Sequence, residues 1–340
     1  MTGQGEVVKL GHGAGGTLTK QLIEKAFLKY FRSKALLELG DSAVLSRPKS
    51  QRIAFTTDSY VVSPIFFPGG NIGKLSISGT VNDLVAAGAK PLYISAGFII
   101  EEGFPMEDLE KVAKSMSETA KASHVEVVTA DTKVVEHGKG DGLFINTAGI
   151  GVIGRMESHS SSIVAGDAVI VSGAMGNHGA TILLSRRREE LTFETDIESD
   201  CAPLDGMLLP LYEEFGRGIH WVRDVTRGGL FTILNEAITN RKIEMVVDES
   251  AIPVDQEVQS ICDILGLDPF YLANEGKVVM VVSSKIAEGV VKRLRKHERG
   301  RDAAVIGHLR HGDGHVYIET VTGGLRIAEP LLDDPVPRIC

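Results

Sequence analysis

Residues 71–89 read NIGKLSISGTVNDLVAAGA, a long helical segment rich in small side chains. Small residues let a helix lie close against another backbone or a ligand. On its N-terminal side, residues 52–57 (RIAFTT) read as a strand ending at Asp58, and Asp41-Ser42-Ala43-Val44 opens an earlier strand. On its C-terminal side, residues 92–100 are strand-like and residues 106–123 form an amphipathic helix. Residues 125–130 form a strand ending at Asp131, and LFINTAGIGVI over 143–153 is another. Upstream lies a Gly-rich loop, VVKLGHGAGG over 7–16. A helix over 18–31 follows it, with Thr17 as N-cap. This order of strands and helices predicts an α/β (α+β) fold.

A polar stretch over 154–165 marks a boundary, after which DAVIVSG (167–173) starts a new strand and His178-Gly179 a new helix. The chain has 340 residues, enough for two cores. The organisation expected is an N-terminal domain over 1–155, a C-terminal domain over 156–329 and an extended tail over 330–340, PLLDDPVPRIC, with three prolines.

Hydrophobic residues make up 43% and mean hydropathy is +0.06, which suits packed cores rather than disorder. A net charge of −9 disfavours nucleic acid as the main partner. The basic runs at residues 186–188 and 292–301 read as solvated helix faces. Three cysteines, Cys201, Cys262 and Cys340, do not make a disulfide framework and fit a reducing compartment. No signal-peptide pattern opens the chain and no apolar run approaches a membrane span, so the expectation is a cytoplasmic protein without a membrane partner.

Five aspartates stand out: Asp41, Asp58, Asp83, Asp131 and Asp224. Strand ends display site residues because the backbone there is fixed while the side chain faces a crevice. Carboxylates converging on one crevice repel one another, and Mg²⁺ with a nucleoside triphosphate supplies the counter-charge. Each aspartate taken singly also reads as a helix or turn cap. The Walker-type phosphate loop is missing, so any ATP site has another architecture.

Asp41-Ser42-Ala43-Val44, Thr57-Asp58, residues 79–89 (GTVNDLVAAGA) and residues 224–230 (DVTRGGL) together resemble the motif set of the PurM-like, aminoimidazole-ribonucleotide-synthetase-like superfamily. Residues 11–16 (GHGAGG) and the terminal Pro337-Arg338-Ile339-Cys340 narrow the resemblance to its carbamoyl dehydratase family of nickel–iron hydrogenase maturation. That resemblance implies a PurM-like two-domain fold and a homodimer whose N-terminal sheets form a shared β-barrel. It also implies ATP in the cleft between the domains. By motif position it assigns Asp41, Asp83 and Asp224 to Mg²⁺ and phosphates, and Asp58, Asp131 and the region from Asn71 to Lys74 to the nucleotide. It implies a HypF-type carbamoyltransferase upstream and a HypC–HypD-type iron scaffold downstream.

The implied reaction turns S–C(=O)–NH₂ into S–C≡N. Oxide is a poor leaving group, so the oxygen must first be phosphorylated, and two protons must leave nitrogen for a base. The thiol is Cys340. Eight extended residues span at most ~26 Å, enough for a tail to move between cleft and surface. Its own α-carboxylate raises the thiol pKa, so activation must come from the acceptor site. Being last, Cys340 does not fit the usual prenylation motif. Lys133 and Arg227 are candidates for holding phosphate. Glu275, in Asn274-Glu275-Gly276-Lys277, is the candidate base, partly by a family motif; its alternative is a surface turn residue. His12 reads either as a contact for tail or phosphate or as a structural loop residue. Cys201 and Cys262 lack ligand spacing.

Two other readings stay open. A small-molecule kinase or synthetase of the same superfamily is one, in the manner of thiamine-phosphate kinase or selenophosphate synthetase, although the latter expects a reactive Cys near the N-terminus that this chain lacks. A non-enzymatic scaffold with a docking tail is the other.

Overall fold

The computed structural model describes residues 6–9, 12, 21–32, 52–154, 156–187, 195–331, 336 and 338–340. Asp41 with its strand, Thr17, and the Gly-rich loop apart from residues 7–9 and 12 lie outside the described residues.

The first layer is a four-stranded sheet in the order β1 (Ile53–Tyr60), β6 (Leu143–Ile153), β4 (Ala89–Glu101), β5 (Glu126–Val135). β6 pairs antiparallel with both β1 and β4, and β4 pairs parallel with β5. A short ribbon of β2 (Phe66–Phe67) and β3 (Gly70–Asn71) leads into helix α1, Ile72–Ala86. α1 is buried on nearly every side. Its small residues allow this: a Cβ on Gly79 would stand 2.3 Å from the Tyr60 hydroxyl of β1. Helix α2, Met106–Ala122, is amphipathic and packs on α1 through Leu109, Val112 and Met116. Each such fully buried side chain contributes about 1.5–3 kcal/mol.

Two strand boundaries that bear on candidate site residues differ from the sequence reading. β1 runs through Asp58 to Tyr60, and β5 runs through Asp131 and Lys133 to Val135. Among the described residues the sheet carries helices on one face only, so polar residues can occupy strand interiors.

The second layer is a seven-stranded sheet in the order β13 (Leu325–Ile327), β12 (Val316–Glu319), β9 (Ile243–Asp248), β11 (Ala304–His311), β7 (Asp167–Val171), β10 (Val278–Ser283), β8 (Ile219–Asp224). Only β9 and β12 pair in parallel. Helices α3 (Asn177–Arg186), α4 (Asp205–Phe215), α5 (Gly229–Ile238), α6 (Gln256–Leu265) and α7 (Ala287–Leu294) complete this half. Separate apolar clusters cover the two faces of the sheet. This is why β7 and β10 read as unbroken apolar runs rather than alternating ones. Among the described residues no helix is long and apolar enough to cross a membrane.

Asn82 joins the halves. Its buried amide donates to the Ala202 carbonyl at 3.1 Å and the Glu275 carbonyl at 3.4 Å, and its Oδ1 accepts from the Leu204 N–H at 2.9 Å.

Candidate active site

Between the two layers lies a cavity of about 500 Å³, lined in part by Thr56, Asp83, His159, Trp221, Arg223 and Asp224. Asp83 comes from α1 and Asp224 from the last position of β8, so the motif that opens the sequence reading and the one after residue 223 meet here. Thr56 Oγ1 donates to Asp83 Oδ2 at 2.7 Å. Burial raises the Asp83 pKa, the Asp58 charge adds to the rise, and the Thr56 bond and Arg223 oppose it. Asp224 is pushed up from 3.8 to about 7, by burial first and then by Asp83, with Arg223 opposing. Arg223 Nε stands 3.8 Å from Asp224 Oδ1.

Glu275 lies deeper, 3% exposed. Its carboxyl Oε1 is buried and has no hydrogen-bond partner among the described residues. Burial raises its pKa well above the usual carboxylate range, and Asp224, Asp200, Asp58 and Asp83 push in the same direction. The peptide on which Glu275 sits is held by Asp200, whose carboxylate accepts from Glu275 N at 3.0 Å and Gly276 N at 3.1 Å and stands 3.4 Å from Lys277 Nζ. Gly276 is required: a Cβ there would lie 2.0 Å from the Asp200 carbonyl oxygen.

Asp58, Asp83 and Asp224 all lie near enough to Glu275 for their charges to bear on its carboxyl. Asp41 lies outside the described residues. Among the described residues no three His, Cys, Asp or Glu side chains already form a metal-binding group. Hard carboxylate oxygens with raised proton affinity nevertheless suit Mg²⁺, which takes one or two carboxylates and completes its shell with phosphate and water. The orphaned Glu275 oxygen and the two raised aspartates fit a centre that receives positive charge.

Cys340 is only 9% exposed, although it closes the chain. The last residues run antiparallel beside residues 61–63, the continuation of β1. Val61 N donates to the Cys340 carbonyl at 2.9 Å, and Ser63 N donates to the Arg338 carbonyl at 3.3 Å. Asp58 is three residues upstream, roughly 10 Å of extended chain at ~3.3 Å per residue.

The remaining expected residues are placed as follows. Asn71 is the N-cap of α1, its Oδ1 accepting from Gly73 N and Lys74 N. Lys74 Nζ donates to the Gly69 carbonyl at 2.7 Å and exerts a pull on the buried Cys201 thiol. Arg227 is exposed on the turn after Asp224. Lys133 and Asp131 form an exposed pair at 3.2 Å on the sheet face opposite α1, so a single chain does not bring them to the cluster. His12 is buried in the N-terminal loop, its Nδ1 accepting from Lys9 N at 2.9 Å. Burial pushes both Cys201 and Cys262 up, Cys262 to about 12, which keeps them inert thiols. Sequence reasoning passed over Asn82, Asp200 and Arg223. Asn82 was legible as the neighbour of Asp83, whereas Asp200 sits in an irregular stretch with no period.

Residues 39–153 match the N-terminal domain of the AIR synthase related protein family, and residues 164–319 match its C-terminal domain. The chain is 44% identical to a carbamoyl dehydratase HypE of Cupriavidus necator, over 98% of this chain and 95% of that protein. It is similar to a crystal structure of the hydrogenase maturation protein HypE in complex with ATP, with a TM-score of 0.92 and 43% identity, over 98% of this chain and 99% of that one. It also resembles a chain of a HypE–HypF complex, with a TM-score of 0.79 and 42% identity, over 93% of this chain and all of that one. A thiamine monophosphate kinase of Aquifex aeolicus, 15% identical with a TM-score of 0.60 over 82% of this chain and 88% of that one, shares the fold.

Proposed function

The chain belongs to the HypE family of AIR-synthase-related proteins, and from that premise we propose that it uses ATP to dehydrate a carbamoyl group on its own Cys340, leaving a thiol-bound cyanide. The observation that carries this reading is the seating of Cys340 beside the strand whose inward face supplies Asp58 to the carboxylate group.

In this reading Asp83 and Asp224, joined by Asp41, would hold Mg²⁺ beside the phosphates. The ion supplies charge neutralisation of the triphosphate. Asp58 and the Lys74 region flank the nucleotide, Arg223 of the cavity lining is a cation for phosphate, and Arg227, on the turn three residues after Asp224, is a second. Attack of the carbamoyl oxygen on the γ-phosphorus releases ADP and leaves an O-phosphorylated carbon. The carbon–oxygen bond then breaks, phosphate departs, and the two N–H protons pass to a base and to phosphate. Glu275 is that base. In the free chain burial and the neighbouring carboxylates raise its pKa and disfavour the ionised form, the form that accepts a proton. Positive charge entering the cluster is what restores that form.

A role for Lys133 requires a second copy of the chain on the outer face of the first sheet. That face supports a homodimer, because it exposes the large apolar side chains Ile53, Phe55 and Ile99 as well as the Lys133–Asp131 pair. The likeness to a HypE–HypF complex supports a HypF-type carbamoyltransferase as the donor partner, and the chemistry of a thiol-bound cyanide suits delivery to an iron scaffold of HypC–HypD type.

The test is intact-protein mass spectrometry with a carbamoyl donor, the carbamoyltransferase and ATP. A C-terminal carbamoyl gain followed by ATP-dependent loss of one water is expected, and Cys340→Ala should show neither while still binding ATP. Water loss that persists in Cys340→Ala would end the proposal.

A further inference from the structure

The last three carbonyl groups of the chain are all claimed by donors from elsewhere. Cys340 O accepts from Val61 N, and Arg338 O accepts from Ser63 N and from Arg186 Nη2 at 2.5 Å. Ile339 O accepts from His178 Nε2 at 2.7 Å. His178 and Arg186 are eight residues apart on α3, about two turns, so one side of that helix reaches two consecutive carbonyls.

His178 is fully buried, its ring edge-on to Phe67 at 5.4 Å. Its Nδ1 stands 2.7 Å from Ser199 Oγ, which also accepts from Cys201 N at 3.1 Å. Burial holds the imidazole below its usual range. The neutral ring therefore donates from Nε2 to Ile339 and accepts at Nδ1 from the Ser199 hydroxyl. A core histidine needs only some partner for each nitrogen. These partners are specific in place: one is the penultimate carbonyl of the chain, the other the residue before Asp200, which holds the Glu275 peptide.

We propose that His178, with Ser199 and Arg186, is a positioning set that seats the carboxy-terminal segment and sets Cys340 relative to Glu275 through the loop at residues 199–202. The seat grips main-chain oxygens, so a carbamoyl or cyano group on sulfur does not compete for these donors. The link to Glu275 rests on the dehydratase reading; the seat itself does not.

The test compares His178→Phe, which keeps a ring against Phe67 but has no N–H, with His178→Gln, whose amide can still donate. Native-state alkylation of Cys340 by N-ethylmaleimide is followed by peptide mass spectrometry, with Cys201 and Cys262 as internal references. Loss of one buried hydrogen bond predicts alkylation about tenfold faster in His178→Phe than in the wild type, with His178→Gln close to the wild type. The same order is expected for the single-turnover rate of water loss from carbamoylated chain, with ATP affinity unchanged. Cys340 as protected in His178→Phe as in the wild type overturns the seat. If His178→Phe shows no cooperative melting, Ser199→Ala and Arg186→Gln decide, and full protection in both overturns it. A wild-type chain with protected Cys340 that never loses water would sink the dehydratase reading and leave the seat standing.

Discussion

Replacing Asp224 by asparagine should make the unliganded protein more stable while disabling its work with nucleotide. The magnitude follows from the site. Burial and the neighbouring Asp83 carboxylate push Asp224 up from 3.8 to about 7. A group whose folded pKa is raised binds more protons in the native than in the unfolded state between those two values. The wild type therefore loses stability as pH rises through that window, and the asparagine variant does not. At about 1.36 kcal/mol per pKa unit, the ceiling on the difference is about 2 kcal/mol near pH 5 and about 4 kcal/mol near pH 8. Arg223 stays beside the position in the variant, keeping Glu236 at 3.9 Å but losing Asp224 as a partner, so a measured gain of about 1–4 kcal/mol near pH 8 is expected. Urea titrations followed by circular dichroism at the two pH values give this gap. Adding ATP with Mg²⁺ at about one hundred times its dissociation constant should stabilise the wild type by about 2.7 kcal/mol and the variant by much less. A variant that is less stable than the wild type near pH 8, or a gap that does not change with pH, would refute the reasoning, because repulsion among buried carboxylates could then not be the dominant force at this site.

Two further outcomes test separate parts of the site. Glu275→Gln removes a carboxyl whose ionised form burial and its neighbours disfavour, so the fold should hold while single-turnover water loss from carbamoylated Cys340 falls by roughly 10²–10⁴-fold. A loss under about threefold in the same mass-spectrometric assay would place the base elsewhere. Phe55→Glu puts charge on a side chain of the first sheet that is 67% exposed. Light scattering should show a dimer in the wild type and a monomer in the variant, and an unchanged mass would move the self-association surface to another face.

What the sequence made legible follows from how local each signal is. The α1 segment could be read because small residues at Gly73, Ser76 and Gly79 and the Asn82-Asp83 pair sit on one helix. The need for close packing and the acidic ligand are thus written in the same 15 residues. β7 and β10 could be read because burial on both faces leaves an unbroken apolar run. Asp58 and Asp131 were misplaced at strand ends for a related reason. A charge normally marks where an apolar strand stops, but a sheet face that no described helix covers tolerates polar residues within its strands. Asp58 is carried inward toward Glu275, whereas Asp131 stands outward beside Lys133. The seat of Cys340 left no local trace. Prolines and the missing period correctly predict extended chain, but extended chain says nothing of what lies beside it. Here that is residues 61–63 and a histidine 161 positions upstream of Ile339, meeting main-chain oxygens that every residue type carries equally. Specific side chains reveal themselves through pattern. A site that recognises backbone is invisible from the recognised segment and can be found only from the recognising one, where a fully buried histidine with both nitrogens engaged is the mark it leaves.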